Sequence, residues 1–306
     1  TAVAAAREGA TVALLEPGRH LGGMSSGGLG ATDFGKQATI GGLSREFYER
    51  VGKHYGQEIA WHFEPKVAEK VFNEMVTEAG VKVFLNHRLK EKQGVRKNGN
   101  RITEIVMENG AVFRAKVFVD CTYEGDLMAF SGVSYTWGRE PASQYNESFA
   151  GVRELDKYHY HIFPKGVSAY DENGKLLPEI QAGPRGKIGQ GDKKIQAYNF
   201  RMCLSKDKNN QVPFPKPANY DPKRYALLAR LLKVMEERDG KPPRMNQLMI
   251  VSMMPNNKTD INNRGGFSTD YIGKNWDYPN ASYKRRAEIW QEHIDYTAGF
   301  FYFLAN

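Results

Sequence analysis

The chain is poor in cysteine and has no long apolar run. Its two cysteines, Cys121 and Cys203, are too few for a disulfide framework and lack the spacing of metal ligands. No apolar stretch approaches the roughly 20 residues that a transmembrane helix needs, so we expect no membrane partner. With 306 residues, of which 41% are hydrophobic and 25% are charged, the composition is typical of a globular protein with a substantial core.

The basic residues outnumber the acidic ones but are not concentrated. The formal net charge of +8 would suit a polyanionic partner. However, the lysines and arginines are scattered, and clusters such as residues 82–101 are interleaved with acids. A nucleic-acid-binding surface requires a clustered basic footprint. The sequence therefore predicts no nucleic-acid partner and leaves open a mild preference for anionic small molecules.

The first 30 residues carry the most informative pattern of the sequence, and one half of the expected pattern is absent. Residues 2–10 predict the end of a helix, residues 11–15 a short buried strand that ends on Glu16, and residues 18–28 form a glycine-rich run. This order is the second half of a dinucleotide-binding βαβ unit, in which the acid accepts hydrogen bonds from the adenosine ribose. The first strand and its G-x-G-x-x-G loop are absent from the sequence. We therefore expect the chain to be incomplete at its N-terminus.

The following segments predict an α/β unit with an inserted antiparallel meander. Two segments with helical periodicity come first, and Gly80 is the stop signal of the second. An apolar strand follows, and then three short segments of alternating polar and apolar residues, with hairpin turns at residues 97–100 and 108–110. The last of these segments runs into residues 117–120, which are predicted to return to a parallel sheet. The predicted elements are helices at 43–51 and 65–79, a strand at 81–85, and meander segments at 89–95, 101–107 and 111–119.

Beyond residue 132 the texture of the sequence changes. Residues 133–220 are rich in Gly, Pro, Tyr and Lys and predict a mainly β region with long loops. Residues 220–238 have the apolar stripe of an amphipathic helix, and residues 240–282 are loop-rich. Residues 283–304 predict a long final helix with an aromatic end, after which we expect further chain.

Several motifs carry a resemblance to a known family. Glu16, Gly18-Arg19 and Gly22-Gly23 resemble the E-x-x-x-x-x-G-G fingerprint of FAD-dependent oxidoreductases of the glutathione-reductase-like superfamily. Within it, the chain is most similar to a family of FAD-dependent oxidoreductases whose members are sometimes labelled xanthan lyases. Residues 120–129 resemble that family's D-A-T-x-x-G-D-L motif, and its C-terminal landmarks resemble residues 198–201, 255–262 and 293–296.

The resemblance covers essentially the whole chain and implies FAD as the cofactor. The implied fold class is α/β, with a partial Rossmann-like FAD-binding domain, whose first strand and glycine loop are absent, and an α+β substrate domain. The expected boundaries are residues 1–132 for the FAD-binding domain, with the meander at about 89–119, residues 133–282 for the substrate domain, and residues 283–306 for a long helix leading back towards the FAD domain.

The motifs also imply a set of cofactor-binding residues. The Glu16 carboxylate would accept hydrogen bonds from the ribose, Arg19 would neutralise phosphate charge, and glycines would let the backbone approach the cofactor closely. Asp126 would either cap the helix that follows it or lie near the phosphates. The predicted cofactor-binding residues are Glu16, Arg19, Gly22, Gly23, Met24, Ser25, Leu89, Cys121, Thr122, Gly125 and Asp126.

The candidates for catalysis are Arg201, Lys258 and His293. Each could bind or deprotonate a substrate, but each also has a structural alternative. Arg201 could form a salt bridge, Lys258 a turn pair with Asp260, and His293 a helix-face pair with Asp295 or Glu292. We predict no metal site.

The leading functional hypothesis is an FAD-dependent oxidoreductase that acts on a small organic substrate, with sugar-derived compounds as one option. A polysaccharide lyase is an alternative that only the label of relatives suggests, because the sequence has no recognisable pair of acids for glycoside chemistry. A flavin-incompetent fragment or interaction module is a second alternative, and the absent glycine loop motivates it.

Overall fold

The computed structural model describes residues 1–154 and 161–306, and it divides into two compact units. The first unit consists of Thr1–Tyr135, Met202–Asp207 and Met253–Asp260. The second consists of Thr136–Arg201, Lys208–Ser252 and Ile261–Asn306. Two short segments from the later part of the chain therefore belong to the N-terminal unit.

Helices and short strands alternate in the first 130 residues, and helices dominate the C-terminal half. The helices of the described residues are α1 (Ala2–Arg7), α2 (Gly42–Lys53), α3 (Pro65–Glu78), α4 (Asp126–Phe130), α5 (Ala142–Tyr145), α6 (Ala226–Asp239), α7 (Met245–Leu248) and α8 (Tyr283–Ala305). The strands are β1 (Ala13–Glu16), β2 (Lys82–Leu85), β3 (Val95–Asn98), β4 (Arg101–Val106), β5 (Val112–Arg114), β6 (Met249–Met254) and β7 (Lys258–Asn263). The chain is thus of mixed α/β class, with small sheets.

A parallel pair of strands organises the first unit. β1 and β2 run parallel, with Glu16 opposite Leu85 at their carboxyl ends. The backbone beyond the strands is also joined, because the His87 amide donates to the Glu16 carbonyl and the Asn86 amide donates to the Gly18 carbonyl, both at 2.9 Å. Ligands of open α/β sheets bind outside the carboxyl ends of parallel strands. This edge therefore carries the predicted acid.

Helices α2 and α3 form the core of the first unit. Val51, Phe63, Ala68 and Val71 are fully buried in one apolar cluster. Pro65 occupies the first turn of α3, where its missing N–H would have no helical partner in any case. Both helices predicted from the sequence are confirmed.

The three-stranded meander is confirmed, but its first strand begins later than predicted. β3, β4 and β5 pair in order and antiparallel. Of the predicted segment 89–95, only Leu89, in an isolated bridge, and Val95, at the start of β3, belong to a bridge or strand. Between them the chain turns, with Gln93 at a left-handed φ of 60° and Gly94 packed against the Lys90 carbonyl. A turn this tight cannot continue a pleated strand.

The strand predicted at residues 117–120 does not form. Val117 and Val119 are 75% and 56% exposed, and neither lies in a strand or bridge. A strand forms where a neighbour completes its ladder of hydrogen bonds. Among the described residues no strand pairs with this segment.

An aromatic core in the second unit packs against one face of α8. The rings of Tyr271 and Tyr296 stack at 4.2 Å, and Phe267 and Phe300 extend the stack. The Tyr225 hydroxyl donates to the Tyr296 carbonyl at 2.8 Å, which satisfies a buried polar group. Both C-terminal helices predicted from the sequence are confirmed, and α6 begins after a 3-10 turn at Pro222–Tyr225.

One prediction for the second half of the chain is wrong, and another missed a hairpin. The described part of residues 133–220 contains isolated bridges such as Tyr170–Leu176 but no strand, so it is not mainly β. Its glycines repeatedly adopt left-handed φ values, which strands do not accommodate. Conversely, residues 240–282 contain the β6–β7 hairpin, whose turn residues Asn256 and Asn257 both have positive φ, as a tight two-residue hairpin turn requires.

Across residues 1–154 and 161–306, no helix combines the length and the apolar composition that crossing a membrane requires.

Candidate functional site

Glu16, at the end of β1, has one carboxylate oxygen that no described residue donates to. Oε1 of Glu16 accepts a hydrogen bond from the Gly18 amide at 2.6 Å. No donor among the described residues reaches Oε2 of this carboxylate. Arg19 is exposed, and no described residue accepts from its guanidinium. The loop after β1 therefore presents an acceptor and a cation at the carboxyl edge of the parallel strands.

The glycine loop is shaped by its neighbours. Gly22 and Gly23 have φ values of +109° and +54°, and a Cβ on either would collide with the ring of Phe72 or the hydroxyl of Tyr123, respectively. The Tyr123 hydroxyl accepts from the Met24 amide at 2.9 Å. The structural reason for the two glycines is thus a close approach of aromatic side chains to the loop.

A hydrogen-bonded turn holds residues 120–126. The Asp120 carboxylate accepts from the Thr122 amide at 2.9 Å, from the Thr122 hydroxyl at 2.7 Å and from the Met128 amide at 3.2 Å. Gly125 precedes α4 with a φ of 68°. Asp126, which the sequence places either at the helix cap or near the phosphates, is the first residue of α4, and the Asp120 carboxylate accepts from the Met128 amide of the same helix.

The remaining predicted cofactor residues also lie in the first unit. Cys121 is exposed, and its Sγ lies 3.8 Å from the hydroxyl of Thr1 at the start of α1. The Ser25 amide donates to the Gly22 carbonyl at 3.2 Å, which continues the glycine loop. Leu89 follows the end of β2 by four residues. The described geometry therefore gathers the fingerprint segments within one compact unit.

Of the catalytic candidates, Lys258 belongs to the first unit, whereas Arg201 and His293 belong to the second. Arg201 is partly buried. His293 is buried in α8, and its Nδ1 donates to the Ile289 carbonyl at 2.7 Å rather than to Asp295 or Glu292. Burial lowers the pKa of His293, and no described residue partners its Nε2.

Sequence reasoning missed a buried carboxylate beside Lys258. The Glu64 side chain is 3% exposed, and its Oε1 lies 3.5 Å from Nζ of Lys258 and 3.4 Å from Nζ of Lys66. Its Oε2 accepts from Asn256 Nδ2 at 2.7 Å and from the Tyr55 hydroxyl at 3.4 Å. In the sequence, Glu64 is distinguished only by its position directly before a helix, which suggests a capping role, but its side chain forms no cap hydrogen bond.

The charges around Glu64 decide its protonation. Burial alone would raise the pKa of Glu64, but the hydrogen bond from Asn256 and the ammonium groups of Lys66 and Lys258 outweigh it, and the pKa lies below its ordinary value. Burial raises the pKa of Tyr55 to about 12. Glu64 is therefore an anion at neutral pH, surrounded by donors.

The second unit gathers a polar cluster from two of the sequence landmarks. Nδ2 of Asn199 donates to Asp270 Oδ1 at 2.7 Å and to Asn262 Oδ1 at 3.2 Å. Nδ2 of Asn263 donates to Asp270 Oδ2 at 2.8 Å, and Nε2 of His161 lies 3.0 Å from the same oxygen. We call these five residues the amide cluster. Asp270 at its centre is 8% exposed.

The described residues contain no group of three or more His, Cys, Asp or Glu side chains placed to hold a metal ion.

No curated protein and no solved structure matches the chain. A family model for FAD-dependent oxidoreductases matches residues 1–306. Oε2 of Glu16 has no donor among the described residues, and no described residue accepts from the guanidinium of Arg19. These two groups suit the ribose hydroxyls and the phosphates, respectively, of a ligand at the carboxyl edge of β1 and β2. The chain therefore belongs to the FAD-dependent oxidoreductase family, and its cofactor is FAD.

Proposed function

We propose that this FAD-dependent oxidoreductase acts on a small, hydroxyl-rich, sugar-derived substrate, with residues 1–132 binding the cofactor and residues 133–282 binding the substrate. FAD, when bound, supplies the ring that exchanges electrons with the substrate. The chain's own residues bind and orient both molecules. The observation that carries the proposal is the Glu16 carboxylate, whose Oε2 has no donor among the described residues at the carboxyl edge of β1.

The cofactor part assigns roles to residues of the first unit. Glu16 accepts hydrogen bonds from the ribose hydroxyls, and Arg19 neutralises phosphate charge. The backbone of Gly22 to Ser25 and the turn of Thr122 to Asp126 contact the rest of the cofactor, together with Cys121. Leu89 contacts the adenine side, beyond the end of β2.

The substrate part is supported by the amide cluster. Amide and carboxylate groups exchange donors and acceptors with sugar hydroxyl groups, which can play both roles. Asn199, Asn263 and Asp270 are already oriented by their mutual hydrogen bonds, and such preorganisation lowers the entropic cost of binding. Arg201, Lys258 and His293 remain the candidates for binding an oxygen anion or transferring a proton.

The test is a titration with FAD. We expect Glu16→Gln to weaken FAD binding about 10-fold or more, because a charge-assisted hydrogen bond contributes about 1.5–3 kcal/mol. Glu58→Gln is the matched control, since Glu58 is exposed and has no side-chain partner among the described residues. The binding is followed by quenching of flavin fluorescence. An unchanged affinity in Glu16→Gln, or no binding by the parent chain, would refute the assignment.

The interaction-module alternative is favoured by one observation. Val117 and Val119, two residues apart in the first unit, expose apolar side chains at 75% and 56%. Exposed apolar side chains are typical of surfaces that bind other proteins when they form a contiguous patch. The same titration discriminates, because an interaction module would bind no FAD and would be indifferent to Glu16→Gln.

A further inference from the structure

The buried Glu64 connects three parts of the first unit. Its backbone amide donates to the Tyr55 hydroxyl at 2.9 Å, and its carboxylate receives donors from the β6–β7 turn, 192 and 194 residues away in sequence. Each of its two oxygens has two partners. A buried carboxylate that is fully provided with donors is fixed in position.

The turn that carries Lys258 is held from both sides. The Lys206 amide donates to the Asn257 carbonyl at 2.8 Å, and the Thr259 amide donates to the Leu204 carbonyl at 2.9 Å. The backbone on either side of Lys258 therefore cannot move freely. The Lys258 side chain is 19% exposed, so most of it is covered and a small part reaches solvent.

The same turn is joined to the glycine-rich segment that follows the cofactor fingerprint. The carboxylate of Asp260 accepts from the Ala31 amide at 3.0 Å. The Phe63 amide, next to Glu64, donates to the Gly30 carbonyl at 3.1 Å. Gly30 and Ala31 are thus hydrogen-bonded to the residue before Glu64 and to the strand that follows the turn, all within one compact unit.

We infer that Glu64 is a positioning residue, which holds the ammonium group of Lys258 as a fixed cation for the flavin and an anionic substrate oxygen. This inference rests on the proposed function. Lys66 contacts the same carboxylate oxygen, but its side chain is 72% exposed, so solvent screens it. Lys258 is therefore the cation whose position depends on Glu64.

The first test needs no cofactor. The apo-protein is treated with a limiting amount of acetic anhydride, and the acetylation of individual lysines is measured by peptide mass spectrometry. We expect Glu64→Gln to increase labelling of Lys258 at least 5-fold, because the ammonium is released, and Glu64→Asp to restore part of the protection. Lys36 in the same molecule is the internal reference, because it is exposed and its side chain has no partner among the described residues. Glu74→Gln is the control variant, since Glu74 pairs with Lys70 at 3.9 Å on the surface. Unchanged labelling in a folded Glu64→Gln protein would overturn the inference.

The second test uses the FAD-loaded protein and measures the reduction potential of the flavin. Charge near the ring tunes its potential. We expect Lys258→Met to lower the potential. We expect Glu64→Gln to raise the potential less in the parent than in the Lys258→Met background, because in the parent the release of the Lys258 ammonium opposes the removal of the negative charge. An equal effect of Glu64→Gln in both backgrounds, or no effect of Lys258→Met, would overturn the inference. If the parent chain binds no FAD, the proposed function and the flavin role of Lys258 fail together, while the labelling still decides whether Glu64 positions Lys258.

Discussion

Glycine residues with the same sign of φ have different surroundings in this chain. Gly22 (φ +109°) lies against the ring of Phe72, whereas Gly99 (φ +58°) has open space where a Cβ would stand. Alanine at either position strains the backbone by about 1–2 kcal/mol, and at Gly22 it adds overpacking of about 1–3 kcal/mol. We expect Gly22→Ala to lower the free energy of unfolding more than Gly99→Ala does in urea denaturation. Equal losses would mean that Phe72 yields without cost.

The carboxylate of Asp120 stabilises the turn before α4 by accepting three hydrogen bonds. Asp120→Ala leaves the Met128 amide and both Thr122 donors without this acceptor. By analogy with the loss of a helix cap, we expect a decrease of about 1–2 kcal/mol in the free energy of unfolding. Asp33→Ala is the control, because Asp33 is exposed and no described residue donates to it. A similar loss in both variants would contradict the assignment.

At the scale of secondary-structure elements, α1, α2 and α3 are joined by ion pairs that predict a pH dependence. Hydrogen bonds from Arg7, with a further contribution from Arg50, lower the pKa of Glu46 from 4.5 to about 2. The stabilisation is therefore fully present above pH 4.5 and is lost as the pH falls through about 2. Because the pair is partly exposed, we expect Glu46→Gln to cost about 1 kcal/mol or less at pH 7.

The measurement is urea denaturation of the parent and Glu46→Gln between pH 7 and pH 2. The difference between the two proteins should shrink as the pH falls below about 4.5. Glu74→Gln serves as the control, since its pair with Lys70 at 3.9 Å is looser. A constant difference over the whole range would exclude Glu46 as the titrating group.

Elements with strong local signals could be predicted from the sequence, and elements that depend on a partner could not. The segments that became α3 and α8 carry helical periodicity, and α3 is also followed by the Gly80 stop, so local chemistry determines them. Residues 117–120 have strand composition, but a strand exists only where another lies beside it. The β6–β7 hairpin was missed because its Asn256-Asn257 turn lies between polar and apolar residues that do not alternate cleanly.

The candidate site shows the same division between local and long-range information. The fingerprint at Glu16 and the glycine loop is contiguous, so the sequence alone predicts it. The role of Glu64 depends on donors 192 and 194 residues later in the chain. No spacing rule connects such positions, and a glutamate before a helix usually reads as part of the helix start. Buried ion pairs between distant segments therefore become visible when the fold is known.

At the scale of the whole molecule, the two compact units carry different chemistry. The first holds the glycine loop, Glu16 and the pair of Glu64 and Lys258. The second is built on stacked aromatic rings and bears the amide cluster around Asp270. If residues 1–132 hold the cofactor, as proposed, bound FAD should slow hydrogen exchange in the segments that it contacts, and this local protection is a signature of the site.

Hydrogen exchange measured by mass spectrometry, with and without FAD, tests this signature. At an FAD concentration about 100-fold above the dissociation constant, binding stabilises the state it selects by about 2.7 kcal/mol. We expect slower exchange at residues 13–25 and 120–126, and little change in α6, whose amides are already protected by helical hydrogen bonds and a buried face. Glu16→Gln should require a higher FAD concentration for the same protection, whereas Glu58→Gln should not. Protection of α6 without protection of the glycine loop would place the cofactor elsewhere, because ligand contact slows exchange first in the least stable segments that it orders.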